Sequence, residues 1–446
     1  MTHPGEDRLF ERLLEAAPID GTAAEVYERR GALLELTEDE SGTTLLETAE
    51  RGLALRLFKA GRSAFAASGP ARAPALPEEA HARLLRARAR RGVKVPAPGA
   101  GEPVDRRPIN DPPSPDAELA RTLLTDFRQS LTAAGRGAVA VREVSVSLGE
   151  RTERLATTSG RDATWGSRLA TLVATVVGRS TVGRFSARVV GAASRPEELP
   201  VARLARHAAD RVLLPLQGRP FEAARADVLL DPLVAAHLVG RLAPLFFGDE
   251  EEALLAARTR EGRDALASPL VSIVDDATIS GGLVRGLRDG EGTPQGRTRL
   301  VDRGLPYGRL TDVSAAGRLS RTPSGNAVRV AWSDPPRIGL TNFFVDPSPG
   351  VSPLDLLADV SRGLYAAVLL ERPDVDLSAD RFRLSVAGYG VEKGRATERV
   401  SEAMVSGRLS EFLRGIAGIG DDLKFALGGT GSAGSPTLLV PRWKTG

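Results

Sequence analysis

The chain has 446 residues, 42% of them apolar and 4% aromatic, with 60 basic and 57 acidic side chains and a net charge of +3. That length allows two or three domains, and no apolar run approaches the ~18–20 residues that span a bilayer. The absence of cysteine excludes disulfides, thiolate metal sites and cysteine nucleophiles, and the near-balance of charge argues against a nucleic-acid partner.

Leu9, Leu13 and Leu14 give Glu6–Ala17 helical spacing, and Pro18 stops it. Strands are expected at Glu25–Leu36, Gly52–Lys59 and Ser63–Ala67, with Thr44–Glu50 a polar turn or short strand. Pro77–Arg91 reads as a helix. Arg83, Arg86, Arg88, Arg90, Arg91 and Lys94 around it lack interleaved aromatics and read as a solvated face. The prolines of Gly92–Pro115 forbid helix and central strand, so this stretch is an extended linker. Asp116–Ala134 is an amphipathic helix with a cap near its first residue. Ala138–Leu148, Thr152–Thr158, Trp165–Val177 and Gly183–Val190 follow as an antiparallel meander, and Pro196–Leu214 as a helix.

Ala226–Asp231 is a short apolar strand, and Pro232 opens the next helix where a missing N–H costs nothing. Asp249–Thr259 reads as an acidic helix. From Val271 the chain is mostly strands and glycine turns. Ser352–Leu370 is a helix, or a helix running into a strand. Arg381–Gly388 and Tyr389–Lys393 read as a hairpin, Leu409–Ile416 as a helix and Thr437–Val440 as a last strand. No βαβ rhythm is present; helices and antiparallel strands come in blocks, which is the pattern of an α+β protein. The divisions expected are 1–91, a linker 92–115, a central helix and meander 116–222, and a β-rich segment 223–446. Met1–Asp7 has no basic region or apolar core of a signal peptide, so a cytoplasmic protein is the expectation.

Chemistry-bearing residues are sparse. The four histidines, His3, His81, His207 and His237, include no two close enough in sequence to make a local metal pair. His207 and Asp210 read as a solvated contact one turn apart, and Asp249–Glu252 as an acidic helix start. Gly429–Gly434 has the spacing G-x-G-x-x-G but leads into Ser435-Pro436 and a strand, so it reads as a loop rather than a dinucleotide site. Nothing supports a triad through Ser432 and His237. Asp275, Asp276, Asp289 and Glu291 could form an acidic pair or cluster.

In order and spacing, Ile273–Asp276, Asp289–Pro294, Leu300–Leu305, Leu310–Asp312, Ser324–Ala327, Gly339–Phe343, Arg362–Tyr365, Ala387–Gly394 and Ile419–Leu423 resemble the C-terminal domain of the TldD/PmbA family. This is a family of peptide-processing metalloproteases and modulators of DNA gyrase, and the resemblance extends to Ala24–Gly69 and Thr158–Gly160. It implies a helix-and-sheet N-terminal domain and a large antiparallel, barrel-like C-terminal domain, in which Asp275, Asp276, Asp289 and Glu291 are turn and framework residues, or alternatively line a peptide chamber. Its catalytic branch carries His-Glu-x-x-x-His on a helix and a cysteine as third metal ligand. Two imidazoles and a thiolate hold the metal there, and the carboxylate takes a proton from its bound water. Histidines five apart lie ~140° apart on an ideal helix, so the helix must distort or end there.

The corresponding positions here are Ala236, His237 and Arg241, with Gly240 retained and no cysteine anywhere. The resemblance therefore points to the non-catalytic, TldE-like branch. It implies no cofactor or metal in this chain and a divalent metal such as zinc in a catalytic TldD-like partner. The two would form a heterodimer whose chamber admits unfolded peptides, for example precursors of modified natural products. Asn342, Phe343 and Phe344 are the residues expected to face the chamber or the partner. Two other readings stay open: a binding or regulatory protein associated with gyrase or DNA, and a peptidase with an unrecognised site.

Overall fold

The computed structural model describes residues 8–17, 21–99, 109–180, 183–248 and 264–445; the expected acidic helix Asp249–Thr259 lies outside them. The first half is α1 (Leu9–Ala16), β1 (Ala23–Asp39), β2 (Gly42–Lys59), β3 (Arg62–Ser68), α2 (Leu76–Arg86), α3 (Ala117–Gly135), β4 (Val139–Thr157), β5 (Asp162–Ser180), β6 (Gly183–Ala193) and α4 (Val201–Gln217). All six strands form one antiparallel sheet in the order β3-β2-β1-β4-β5-β6. β1 pairs with β4 from Glu25–Thr157 to Asp39–Glu143. Segments 1–91 and 116–222 thus share a single sheet across the proline-rich stretch. The breaks expected inside β2 and β4 are absent: each is one strand, long enough to run the full length of β1.

The pleat explains how this sheet is used. Even-numbered β1 residues face the helices. Ala24 and Val26 pack with Phe10 and Leu13 of α1 and Leu76, Ala80 and Leu84 of α2. Leu34 and Leu36 pack with Leu124, Phe127 and Leu131 of α3 and Leu204, Ala208 and Val212 of α4. Each such fully buried side chain contributes about 1.5–3 kcal/mol. α3 begins where the Asp116 side chain accepts from the N–H groups of Glu118 and Leu119. Odd-numbered residues face the other way. Glu25, Tyr27 and Arg29 meet the second half of the chain. Leu33, further along, is 39% exposed.

The second half contains β7 (Arg219–Pro220), β8 (Arg225–Leu230), α5 (Pro232–Gly240), β9 (Ile273–Asp276), β10 (Arg297–Asp302), β11 (Leu305–Pro306), α6 (Val313–Arg318), β12 (Ala327–Val328), β13 (Arg337–Ile338), β14 (Asn342–Val345), α7 (Pro353–Ala358), β15 (Arg362–Leu369), β16 (Asp374–Asp376), β17 (Arg381–Glu392), β18 (Arg395–Arg408), α8 (Leu409–Arg414), β19 (Gly418–Ile419), β20 (Lys424–Gly428), β21 (Gly431–Ser435) and β22 (Leu438–Lys444). One sheet runs β11-β10-β9-β14-β21-β20. Another runs β19-β22-β8-β15-β17-β18-β7, with β16 beside β17. Most pairings are antiparallel; β8 with β15, β14 with β21, and β7 with β18 are parallel. The fold is the mixed helix-and-sheet class expected, with a curled half-barrel sheet. Its main core joins Val228, Leu238, Phe246, Ile273, Phe343, Leu364, Phe382 and Phe412.

One open alternative is decided and one local expectation changes. Ser352–Leu370 is a helix running into a strand: α7, closed by a Ser352–Asp355 capping box, then β15. The hairpin expected to turn at Gly388-Tyr389 turns at Lys393-Gly394 instead, where φ is 48° and 73°. β17 is continuous through Gly388. A Cβ there would lie 1.9 Å from the Tyr365 carbonyl oxygen, beside a register shift against β15. That glycine permits close approach, not a turn.

Candidate functional site

The helix expected to carry the chemistry, α5, is set by its ends. The Asp231 side chain accepts from the Leu233 N–H at 2.9 Å and from the Tyr365 hydroxyl at 2.9 Å. The helix stops at Gly240, and Arg241 is its C-terminal cap. It ends at the place where the resemblance requires it to distort or end. Gly240 has a packing reason as well: a Cβ there would lie 2.8 Å from the Cβ of Ala433 on β21.

Ala236, His237, Gly240 and Arg241 all line one large cavity of about 1490 Å³. Its walls come from β6, α4, α5, residues 369–377 and β20. His207 on α4, one of the isolated histidines of the sequence, lines the same cavity, close enough to His237 for the two to interact electrostatically. Arg188, Arg203, Arg211, Arg337, Arg372 and Lys424 join Arg241 on the walls, against Glu198 and Glu371. Burial and then Arg211, Arg241 and Arg372 push the His237 imidazole down to about 4. His207 is pushed down to about 3 by burial, then by Arg211, His237, Lys424 and Arg203. Both imidazoles are neutral at physiological pH.

The residues present do not fit the metal that the resemblance implies. Ala236 has no donor atom and the Arg241 guanidinium cannot donate an electron pair. A divalent cation beside His237 would face Arg211, Arg241 and Arg372. Among the described residues no group of three histidine, aspartate or glutamate side chains is placed to hold one elsewhere.

Asn342, Phe343 and Phe344 are framework, not cavity wall. All three are fully buried in β14, in the middle of its sheet. The Asn342 amide donates to the carbonyls of Asp276 and Val284 at 2.8 Å, and its oxygen accepts from the Val284 N–H at 3.0 Å and the Ser432 hydroxyl at 2.7 Å. Phe343 packs near Phe246, and Phe344 edge-on to Phe425. The acidic residues are framework as expected. Asp275 accepts from the Thr341 N–H and hydroxyl and the Asn326 amide. Asp289 accepts from the N–H groups of Glu291, Thr293 and Ala327. The glycine-rich stretch is a β-hairpin: Gly428-Gly429-Thr430-Gly431 joins β20 to β21, with Gly429 at φ 60°.

Sequence reasoning missed the cationic wall. Its residues come from six separate parts of the chain, and in an arginine-rich sequence no local spacing marks them. It also missed that β6 and β20, which both line the cavity, are the outer strands of their sheets. Their Cα atoms approach within 8 Å of each other, so an added strand cannot sit between them there, and an outer strand pairs with an added strand only along the rest of its edge.

Residues 223–446 match the model of the PmbA/TldA metallopeptidase C-terminal domain. A metalloprotease of Methanothermobacter thermautotrophicus is 28% identical over 244 residues, 53% of this chain and 52% of that protein. A TldD homolog of Haemophilus influenzae, also named a metalloprotease, is 29% identical over 197 residues, 44% of this chain and 39% of its own. The chain spans about half the length of the curated relatives it matches. Its fold is that of TldE from Thermococcus kodakarensis, with a TM-score of 0.82 at 17% identity over 98% of this chain and 99% of that one. A Thermotoga maritima protein named for modulation of a DNA gyrase gives 0.79 at 17% identity over 99% of each. With its whole second half matched to the family's C-terminal domain, this chain belongs to the PmbA/TldD metallopeptidase family.

Proposed function

We propose that this chain is the non-catalytic subunit of a two-chain peptidase: it pairs with a catalytic family member that holds the divalent metal, encloses a chamber with it, and holds unfolded peptide there. The observation that carries the reading is the end of α5. The helix positions that would bear metal ligands face a large cavity, yet they carry Ala236 and Arg241, and cationic groups surround His237.

Two further features support it. An extended peptide pairs with a strand edge through main-chain hydrogen bonds, which tolerates many sequences, and β20 offers such an edge on the cavity wall. The sheet of the first half also leaves part of one face uncovered. Leu33 and Leu169 share a row there across Gly149, and Leu46, opposite Glu35 in the register, lies on the same face. They are 39%, 38% and 52% exposed. Apolar side chains grouped on an open sheet face mark a surface for another protein.

The test is co-expression with a family member that carries His-Glu-x-x-x-His and the downstream cysteine. Co-purification, with cleavage of an unstructured peptide by the mixture and by neither chain alone, is the expected result. Full activity of the partner alone would remove the need for this subunit. Cleavage by this chain alone would make it a peptidase with its own site.

A further inference from the structure

Basic and acidic residues number 60 and 57 over the whole chain. On the cavity wall the ratio is different: Arg188, Arg203, Arg211, Arg241, Arg337, Arg372 and Lys424 face Glu198 and Glu371. Arginine-rich composition does not account for this, because acidic residues are nearly as frequent over the whole chain, and among the described residues the wall carries seven cations against these two carboxylates. Glu198 is also engaged, by Arg195 at 3.8 Å and Arg285 at 4.0 Å. Asp231 caps α5 and accepts from Tyr365, and it lies close enough to Arg203 and Lys424 to offset part of their charge. Among the described residues no ion pair with a carboxylate is formed by any of the seven cavity cations, and Arg211 instead donates to the Arg188 carbonyl at 2.9 Å. His207 and His237 are held below their ordinary pKa first by burial and then by these cations.

From this asymmetry we infer that the cavity selects acidic peptides: a segment bearing aspartate and glutamate side chains adds along the free edge of β20, and its carboxylates are met by the cavity arginines and Lys424. The inference rests on the peptide-holding reading above and specifies its substrate class. Concentrated like charge on low-dielectric walls raises the local concentration of an oppositely charged ligand. The strand edges favour a peptide over another polyanion, since they present main-chain donors and acceptors in strand register. The aromatics on the wall are Phe247 and Phe425, and Phe425 is engaged edge-on with Phe344, so no platform for stacking bases is offered.

The experiment uses the full chain and two labelled, unstructured peptides of equal length and apolar content, one with Asp and Glu at its polar positions and one with Lys. Fluorescence anisotropy at low salt is expected to show the acidic peptide binding about tenfold or more tightly, with the advantage shrinking as salt shortens the range of the field. The double variant Arg241→Glu, Arg372→Glu changes two water-exposed side chains. With an unchanged melting temperature it is expected to lose the preference for acid and gain affinity for the basic peptide. Equal, salt-insensitive binding of both peptides would overturn the selectivity and leave the peptide-holding reading standing. No binding of either at millimolar concentration would overturn both. A single-stranded oligonucleotide of matched charge that binds as tightly as the acidic peptide would show a general polyanion site and also overturn the inference.

Discussion

Arg329 and Glu25 are each 1% exposed at the side chain and pair with one another where the two halves of the chain meet. Arg56 also reaches Glu25, at 2.6 Å, and Glu291, at 2.7 Å. The Arg329 guanidinium lies 4.4 Å from the centre of the Tyr27 ring. Removing one partner of such a pair strands the other charge away from water. Arg329→Met is therefore expected to cost about 3–5 kcal/mol of stability, read by urea unfolding. Arg329 is not on the cavity wall, so the same substitution should leave binding there intact in whatever fraction remains folded. The cavity histidines give a second prediction. Both have folded pKa values below their ordinary value of about 6.5. The unfolded chain therefore takes up protons first as pH falls, so the stability they carry is fully present above pH ~6.5 and is lost as pH drops through ~4. Imidazole proton shifts are expected to stay at neutral-form values down to pH ~5 for His207 and His237. Protonation of either near pH 6.5 would show that burial and the wall cations together do not hold it neutral.

At the scale of elements, close approaches rather than propensities fix the arrangement. A Cβ on Gly52 would lie 1.9 Å from the Trp332 ring, so this indole sits directly on the backbone of β2. Trp332 packs there with Tyr27, Ala54, Leu155 and Trp165. Gly52→Ala must displace the indole, and a loss of about 1–3 kcal/mol is expected. In a double-mutant cycle with Trp332→Ala the two losses should not add, because both remove the same contact. Additive losses would mean that the indole does not depend on that glycine. The sequence marked Gly52 only as the start of a strand; the residue that needs it lies 280 positions further on.

At the scale of the whole molecule, the two halves are held by groups that neither could bury alone. Arg29 donates to the Arg329 carbonyl at 2.9 Å, and Arg161 to the Glu291 carbonyl at 2.7 Å. A chain cut to residues 223–446 keeps Arg329 and Glu291 but loses Glu25, Arg56 and Arg161. It is expected to unfold at a lower urea concentration than the full chain, followed by the fluorescence of Trp332 and Trp443. An equal midpoint would show that the second half is independently stable. No helix among the described residues is long and apolar enough to cross a membrane.

The sequence by itself determined the α+β class and the helices that open at Asp116 and Pro232, through local pattern and cap chemistry. Its resemblance to the family, through the order of motifs, marked Asp275 and Asp289 as framework and set Ala236 and Arg241 where the catalytic branch has ligands. The tertiary structure decided the rest. It joined the first two segments into one sheet, because β1 pairs with β4 across the proline-rich stretch. It buried Asn342, Phe343 and Phe344, because β14 is a central strand. It also gathered the cations around His207 and His237. Each of those outcomes depends on pairing between segments far apart in the chain, and long-range register leaves no mark in the spacing of neighbouring residues.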